Sequence, residues 1–314
     1  MAGLGERLSD LGYAAGWLGV RALPEPVARA LFAYGADMAG RHPGEGVGQL
    51  RRNLARVVPK AGEAELDDLL GAALRSYARY WREVFRLPAM DPAAVSREAE
   101  RHLTGIGNLD AALAAGNGAV IALSHSGNWD VAGMFLVRHS GTFTTVVERL
   151  RPESLYRRFV AYRESLGFEV LPLAEAGSGP TRTLLRRLRE NRVVCLVADR
   201  DLSTTGVDVN FFSERTRMPA GPAHLAAITG AALLPVGCWY TDSGWGFRVH
   251  PRIAVHNRAA VSAATQAMAD SFAGDIAAHP ADWHMMQKLW LADLSPRHRD
   301  ALDEGDQRSR GERR

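Results

Sequence analysis

The run Ala119-Val120-Ile121-Ala122-Leu123-Ser124-His125-Ser126-Gly127-Asn128-Trp129-Asp130 decides how this chain is read. Ala119 to Leu123 is a short apolar stretch of the kind a buried strand carries, and Val131 to Val137 has the apolar density of a packed helix. Gly127-Asn128 between them is the natural strand-to-helix turn. His125 then stands at the carboxyl end of a strand, while Asp130 falls in the first turn of the next helix, where the helix dipole favours its charge. On a continuous helix the two side chains would lie roughly 140° apart about the axis, so only a turn lets them face each other. In that geometry the Asp130 carboxylate accepts the proton of one imidazole nitrogen, leaving the other free to take a proton from a hydroxyl.

Outward from this run the text alternates. Strand-like runs are expected at Ala119 to His125, Phe143 to Arg149, Glu169 to Leu173, Val193 to Asp199, Val207 to Phe212, Ala232 to Tyr240 and Phe247 to Val255. Helical runs fall between several of them, at Trp129 to His139, Glu153 to Leu166, Thr181 to Glu190, Ala220 to Thr229 and Val261 to Ala278. This is the pattern of an α/β fold: a largely parallel or mixed central sheet flanked by helices, with antiparallel pairs near the end. Before about Gly116 the text is helical, with leucines at 66, 69, 70 and 74 on one such segment. The expected division is 1–44 as amphipathic docking helices, 45–294 as the α/β domain with a helical lead-in to about 116, and 295–314 as a charged, disordered tail.

The amino-terminal segment is amphipathic. Leu8, Leu11, Ala15 and Leu18 fall near helical spacing, as do Val27, Leu31, Tyr34 and Met38 after the Pro24-Glu25-Pro26 break. Tyr13 to Val20 is followed at once by Arg21, too short a run to cross a bilayer, which takes about 20 residues. Glu6, Arg7 and Asp10 interrupt the place where a secretion signal needs an apolar core. The apolar stripes either pack on the domain or, if the substrates are lipids, dock at a membrane surface, with Trp17, Phe32, Arg21, Arg29 and Arg41 as the groups to meet it.

With 46% hydrophobic residues the chain has enough apolar material for a large core. A net charge of +3, without clustered basic motifs interleaved with aromatics, disfavours nucleic acid as a partner. Cys195 and Cys238, the two cysteines, each sit in an apolar run and read as small buried hydrophobes of a reducing compartment. His224, His279 and His284 form no compact ligand set, so no metal is expected. No Gly-x-Ser-x-Gly elbow accompanies Ser124 and Ser126, which makes both weak nucleophile candidates.

His125, Glu148-Arg149 and Asp199-Arg200 all stand at the carboxyl ends of strand-like runs, the edge where open α/β sheets place their ligands. They are expected to converge on one cleft. Asp199 has two open roles there, contacting the imidazole or gripping a hydroxylated substrate. Arg182, Arg186 and Arg189 share one helix face by spacing and read as a solvated surface or as one that meets anionic groups such as phosphates.

The octet Leu123 to Asp130 resembles the His-x4-Asp box of glycerolipid acyltransferases. Arg51-Arg52-Asn53-Leu54 with Val57-Val58-Pro59, and Tyr77-Ala78-Arg79-Tyr80-Trp81-Arg82-Glu83, resemble the amino-terminal part of the lipid A biosynthesis branch of that family. Asn210-Phe211-Phe212 with Thr216, Pro219 and Gly221-Pro222-Ala223 is similar to its middle block, and His279-Pro280-Ala281-Asp282-Trp283 to its end. The Arg-rich, Lys-poor composition and Ala198-Asp199-Arg200-Asp201 resemble the phosphatidylinositol mannoside acyltransferases within the branch, where the lipid A enzymes more often carry Asp-Gln.

The resemblance implies an O-acyltransferase that uses acyl-coenzyme A as donor and no resident cofactor. Its acceptor would be a mannosylated phosphatidylinositol glycolipid or, alternatively, another glycolipid or a lysophospholipid. It would work peripherally on the cytoplasmic face of the inner membrane, against an anionic surface. His125 would be the general base and Asp130 would hold its tautomer, while backbone amides around Gly127 or an arginine would stabilise the oxyanion. Arg163, near the position where related acyltransferases place a phosphate-contacting arginine, joins Glu148, Arg149 and Arg200 as substrate-binding candidates. A thioesterase, with water in place of the sugar hydroxyl, and a non-catalytic lipid-binding module remain the competing readings.

Overall fold

The computed structural model describes residues 16–17, 19–149, 152–173, 179–201, 203, 205–297 and 299–302. Its helical lead-in comprises α1 (Glu25–Arg41), α2 (Glu45–Val57), α3 (Glu63–Arg86), α4 (Pro92–Glu100) and α5 (Ile106–Ala114). Residues 19–22, ahead of Pro24, are also helical. Strand β1 (Leu103–Thr104) precedes α5. The alternating region then runs β2 (Ala119–Leu123), α6 (Trp129–Ser140), β3 (Thr144–Val147), α7 (Glu153–Ser165), β4 (Glu169–Pro172), α8 (Thr181–Arg189) and β5 (Val193–Val197). A hairpin, β6 (Val207–Phe211) and β7 (Glu214–Met218), leads to α9 (Gly221–Thr229), β8 (Ala232–Tyr240), β9 (Trp245–Val249) and α10 (Val261–Ala278).

The principal sheet has the order β1-β9-β8-β2-β5-β3-β4. β8, β2, β5, β3 and β4 are mutually parallel, and β9 joins β8 antiparallel, so the sheet is mixed as the sequence pattern implied. β6 and β7 form a separate antiparallel pair. Strand β2 sits centrally and is buried on both faces, which is why it reads as a continuous apolar run. Ala119, Ile121 and Leu123 pack into the cluster with Phe135, Phe159 and Phe168, whereas Val120 and Ala122 pack into the cluster with Phe211, Phe272, Trp283 and Trp290. The two-residue period of the strand thus divides the core into two layers.

Three details depart from the sequence reading. The strand expected at Phe247 to Val255 is Trp245–Val249, so it starts earlier and stops sooner; Pro251 cannot donate to a ladder. The tail expected to be disordered from Ser295 is helical at 296–297 and 299–302, with Leu302 buried; 303–314 lie outside the described residues. Trp17 and Phe32, expected to face a membrane, turn inward. Trp17 lies 5.0 Å from Phe85 and 5.6 Å from both Phe159 and Tyr162, ring centre to ring centre, and Phe32 lies 6.2 Å from Phe85. Aromatic burial against a ready aromatic cluster is the competing demand that wins. Exposed instead is a stripe of α1, Val27, Leu31 and Tyr34, at spacings of four and three residues. Leu8, Leu11, Ala15 and Leu18 lie outside the described residues. Arg21, Arg29 and Arg41 are exposed. Among the described residues no helix is long and apolar enough to cross a membrane.

Candidate active site

Strands β2 and β5 run parallel with Leu123 opposite Val197. Two residues beyond each of these come His125 and Asp199, so the strand register itself sets the two side chains beside each other. The pairing continues past the strand ends, because the Ala198 amide donates to the Leu123 carbonyl at 2.7 Å. Asp199 is fully buried. Its Oδ1 lies 2.6 Å from His125 Nδ1, and its Oδ2 accepts from the His125 backbone amide at 2.9 Å and from Trp283 Nε1 at 3.2 Å. A carboxylate can only accept, so Nδ1 carries the proton and Nε2 keeps its lone pair. The imidazole remains 43% exposed and can be reached from outside.

Electrostatics agree with that assignment. Burial disfavours the imidazolium, but the charge of Asp199 and its hydrogen bond together outweigh burial and raise His125 above its ordinary value of 6.5. Burial likewise opposes the Asp199 charge, and the neighbouring imidazole, backbone amide and indole N–H outweigh it, holding the carboxyl below its usual range.

The expectation that Asp130 holds the imidazole is corrected here. Asp130 is fully buried in the first turn of α6, and its partners are Arg163 and Tyr80. Arg163 Nε donates to Oδ1 at 2.9 Å, and Tyr80 Oη donates to Oδ2 at 3.1 Å. A buried carboxylate is costly without a cation, and α7 delivers one at this point. Arg163 in turn is raised above its ordinary value: burial opposes its charge, and Asp130 overrides that penalty. The pair lashes the start of α6 to α3 and α7. Asp199, whose two roles the sequence left open, is the residue that holds the imidazole.

The turn between β2 and α6 is fixed from three sides. Gly127 has φ of +56°, and a Cβ there would lie 2.7 Å from the Cys238 carbonyl carbon, so only glycine fits. Asn128 caps α6 by accepting from the Val131 amide at 3.1 Å, and its Nδ2 donates to Glu83 Oε2 at 2.7 Å. Glu83 also accepts from Trp245 Nε1 at 2.8 Å and Arg79 Nε at 2.8 Å. From the other side, the Gly127 amide donates to the Asp282 carbonyl at 2.9 Å, and the His284 amide donates to the His125 carbonyl at 2.8 Å. Of the backbone amides around Gly127 expected at an oxyanion, those of Ser126 and Gly127 are engaged within the protein, by the carbonyls of Ser124 and Asp282. Ser124 Oγ and Ser126 Oγ are buried and face each other at 2.9 Å, remote from a nucleophile's role.

Behind this turn, Ser76 Oγ donates to Asp282 Oδ1 at 2.7 Å and so accepts from His284 Nε2 at 2.9 Å. Burial, and secondarily the charge of His125, push His284 down to about 3, so it is neutral at physiological pH. Glu83, Trp283 and His284 are site residues that sequence reasoning did not single out. Helical spacing could have placed Glu83 on the inner face of α3, but nothing in the spacing joins it to Asn128.

The remaining candidates are less central. Arg200 follows Asp199, donates to the Lys288 carbonyl at 2.8 Å and is near enough to oppose the charging of His125. Glu148 and Arg149 follow β3 and are exposed; Arg149 is tied to Glu153 at 2.8 Å and 3.0 Å. Cys195 and Cys238 are buried free thiols, and Arg182, Arg186 and Arg189 are exposed, as read from the sequence. Between α6 and the sheet lies an apolar cavity lined by Leu123, Trp129, Phe135, Leu136, Val197 and Val236, with Asp130 and Arg163 also on its wall. Leu123 and Trp129 flank His125 in sequence, and the Trp129 ring stands edge-on to the imidazole at 6.0 Å.

Sequence comparison follows the same outline. Residues 7–292 match the profile of the bacterial lipid A biosynthesis acyltransferases. A phosphatidylinositol mannoside acyltransferase of Mycobacterium tuberculosis (strain CDC 1551 / Oshkosh) is 59% identical over 294 residues, 94% of this chain and 92% of that protein. A phosphatidylinositol mannoside acyltransferase of Mycolicibacterium smegmatis is 57% identical over 299 residues, 95% of this chain and 97% of its own length. With residues 7–292 matched and relatives 57–59% identical over more than nine-tenths of the chain, this protein belongs to the bacterial lipid A biosynthesis acyltransferase family.

Proposed function

We propose that this chain transfers a long acyl group from acyl-coenzyme A to a hydroxyl of a mannosylated phosphatidylinositol, at the cytoplasmic face of the membrane. The observation that carries the reading is the exposed imidazole of His125 held in its Nδ1–H tautomer by a buried carboxylate. Nε2 takes the proton from the sugar hydroxyl as the hydroxyl oxygen attacks the thioester carbonyl. Asp199 stabilises the imidazolium that forms, and the proton then passes to the departing thiolate as the tetrahedral intermediate collapses. No acyl-enzyme is needed, because neither serine of the loop faces outward.

The apolar cavity beside Leu123 and Trp129 suits the donor's acyl chain. Arg200, whose charge is felt at His125, is the group that would counter negative charge on the substrates and on the oxyanion. The chain docks on anionic bilayers through the Val27, Leu31 and Tyr34 stripe, with the exposed Arg41 at the end of the same helix.

Incubation with palmitoyl-coenzyme A and phosphatidylinositol mannosides, with free thiol and acylated lipid measured together, tests the chemistry. Stoichiometric thiol and acylated lipid, both abolished in His125→Ala, are the expected results. Thiol release without acylated lipid would make the protein a thioesterase, and binding without either product would make it a carrier.

A further inference from the structure

A cation-rich pocket lies between α1 and α3, with Glu83 and Trp245, which brace the His125 turn, on its wall. Arg75, Arg79, Arg82 and Arg86 recur along α3 at spacings of four, three and four residues, on one helical face, and Arg29 of α1 joins them around the cavity. Three of the four on α3 have clear bonding partners. Arg75 holds Asp37, Arg79 holds Glu83 and the Gly244 carbonyl, and Arg86 holds the Val20 and Leu23 carbonyls. Arg82 differs. It is only 7% exposed, yet its Nε makes no hydrogen bond.

What stands nearest to it is Glu25. That single carboxylate lies 3.5 Å from Arg82, 3.5 Å from Arg29 and 3.2 Å from Arg86. It is shared among three guanidiniums and forms a hydrogen bond with none of them. Five arginines line this cavity against three acidic groups, Glu25, Glu83 and Asp242. A buried guanidinium with an unbonded donor is an expensive arrangement, and burial depresses Arg82 below its ordinary value. The two charged oxygens of a phosphodiester, splayed tetrahedrally on phosphorus beside two ester oxygens, bridge neighbouring guanidiniums over a wider span than one carboxylate can.

We propose that this pocket binds the phosphodiester of an anionic phospholipid headgroup, with Arg82 and Arg29 as its ligands and Glu25 as the group it displaces. A lipid source is favoured over free phosphate because α1 also carries the outward stripe of Val27, Leu31 and Tyr34, exposed by 50%, 53% and 62%. A phosphate seated against the inner side of this helix brings its acyl chains to the apolar outer side. The proposal rests on the docking part of the reading above and not on the chemistry at His125.

Cosedimentation of the full chain with phosphatidylcholine vesicles, with and without phosphatidylinositol, tests it. Glu25→Gln should strengthen the phosphatidylinositol-dependent binding severalfold, and Arg82→Gln should weaken it on the order of tenfold, the worth of a charge-assisted hydrogen bond. Arg29→Gln, at an exposed position that cannot unfold the core, should weaken it several-fold. Binding to phosphatidylcholine alone should be the same in all variants. The proposal is overturned if wild-type binding is indifferent to phosphatidylinositol, which leaves docking itself intact, or if Glu25→Gln and Arg29→Gln both match the wild type. Inorganic phosphate that binds in calorimetry but does not compete with the vesicles would overturn the lipid source. Binding to neither vesicle would remove the docking reading along with the headgroup site.

Discussion

Replacing Asp199 by asparagine should disable the base while leaving the fold in place, and the structure says why. Oδ2 receives two donors that cannot reverse, the His125 backbone amide and the Trp283 indole N–H. An asparagine at this position must therefore place its carbonyl oxygen there and turn its NH₂ toward His125 Nδ1. That nitrogen becomes an acceptor, the ring proton moves to Nε2, and the lone pair that should take the hydroxyl proton is gone. General-base catalysis is worth about 10²- to 10⁴-fold, and reversing a tautomer through such a substitution costs up to about 10⁴-fold elsewhere. The expected loss in kcat is about 10³- to 10⁴-fold, or about 4–5.5 kcal/mol of barrier. Stability should fall by only about 1–3 kcal/mol, because two of the three hydrogen bonds persist and the third is reversed, with only the charge lost. Steady-state acylation rates, a thermal unfolding midpoint and the ¹⁵N shifts of the His125 ring measure the three quantities. A folded Asp199→Asn protein within tenfold of wild-type turnover, or one whose ring still carries its proton on Nδ1, would refute the reasoning.

The Asp130–Arg163 pair should behave as structure. Arg163→Ala, which strands a buried carboxylate, should cost about 3–5 kcal/mol by denaturant unfolding, and the double variant with Asp130→Asn should cost less than the sum of the singles. The pH profile of kcat/KM should carry an acidic limb above 6.5, because His125 is inactive when protonated and its pKa is raised; in Asp199→Asn any residual activity should have that limb moved to lower pH. For stability, the raised His125 contributes below 6.5 and is lost as pH rises through its folded value. The lowered Asp199 contributes above 3.8 and is lost as pH falls, so unfolding at a series of pH values should show the pair's support greatest between these limits. Gly133→Ala should destabilise by about 1–3 kcal/mol, since its Cβ would overlap the Phe168 ring and meet Phe143 at 3.0 Å. Glu83→Gln should lower kcat more than it raises KM, because it loosens the Asn128 cap of α6 and touches no substrate.

The alternation of strands and helices was legible because buried parallel strands read as unbroken apolar runs, and Ala232–Tyr240 and Val261–Ala278 end where the sequence pattern ends. The two-residue strand Leu103–Thr104 was not, since so short a segment has no period; its pairing with β9 alone makes it a strand. His125 was legible from its place at a strand end. Its true partner was half legible, since Asp199 also stood out at a strand end, but choosing between two carboxylates requires the sheet order. Nearness in sequence favoured Asp130, five residues away, whereas adjacency of β2 and β5 brings in Asp199 from 74 residues on. The direction of the Asp130 side chain depended on Arg163 and Tyr80, which arrive from two other helices. The clamp from Asp282 to His284 was illegible for the same reason, as main-chain pairing between distant segments leaves no mark on residue type.

The in-register ends of β2 and β5 have a consequence for how the machinery responds to motion. A base and carboxylate borne on two loops would drift apart whenever either loop breathed. Here the gap is metered by the same amide ladder that fixes the spacing of the central strands, the most slowly exchanging part of such a fold. Warming the molecule should therefore fray the helical layers and the substrate-binding rim well before it changes the 2.6 Å contact. The temperature at which activity fails should then report the loss of lipid grip, with the proton-transfer geometry among the last features to melt.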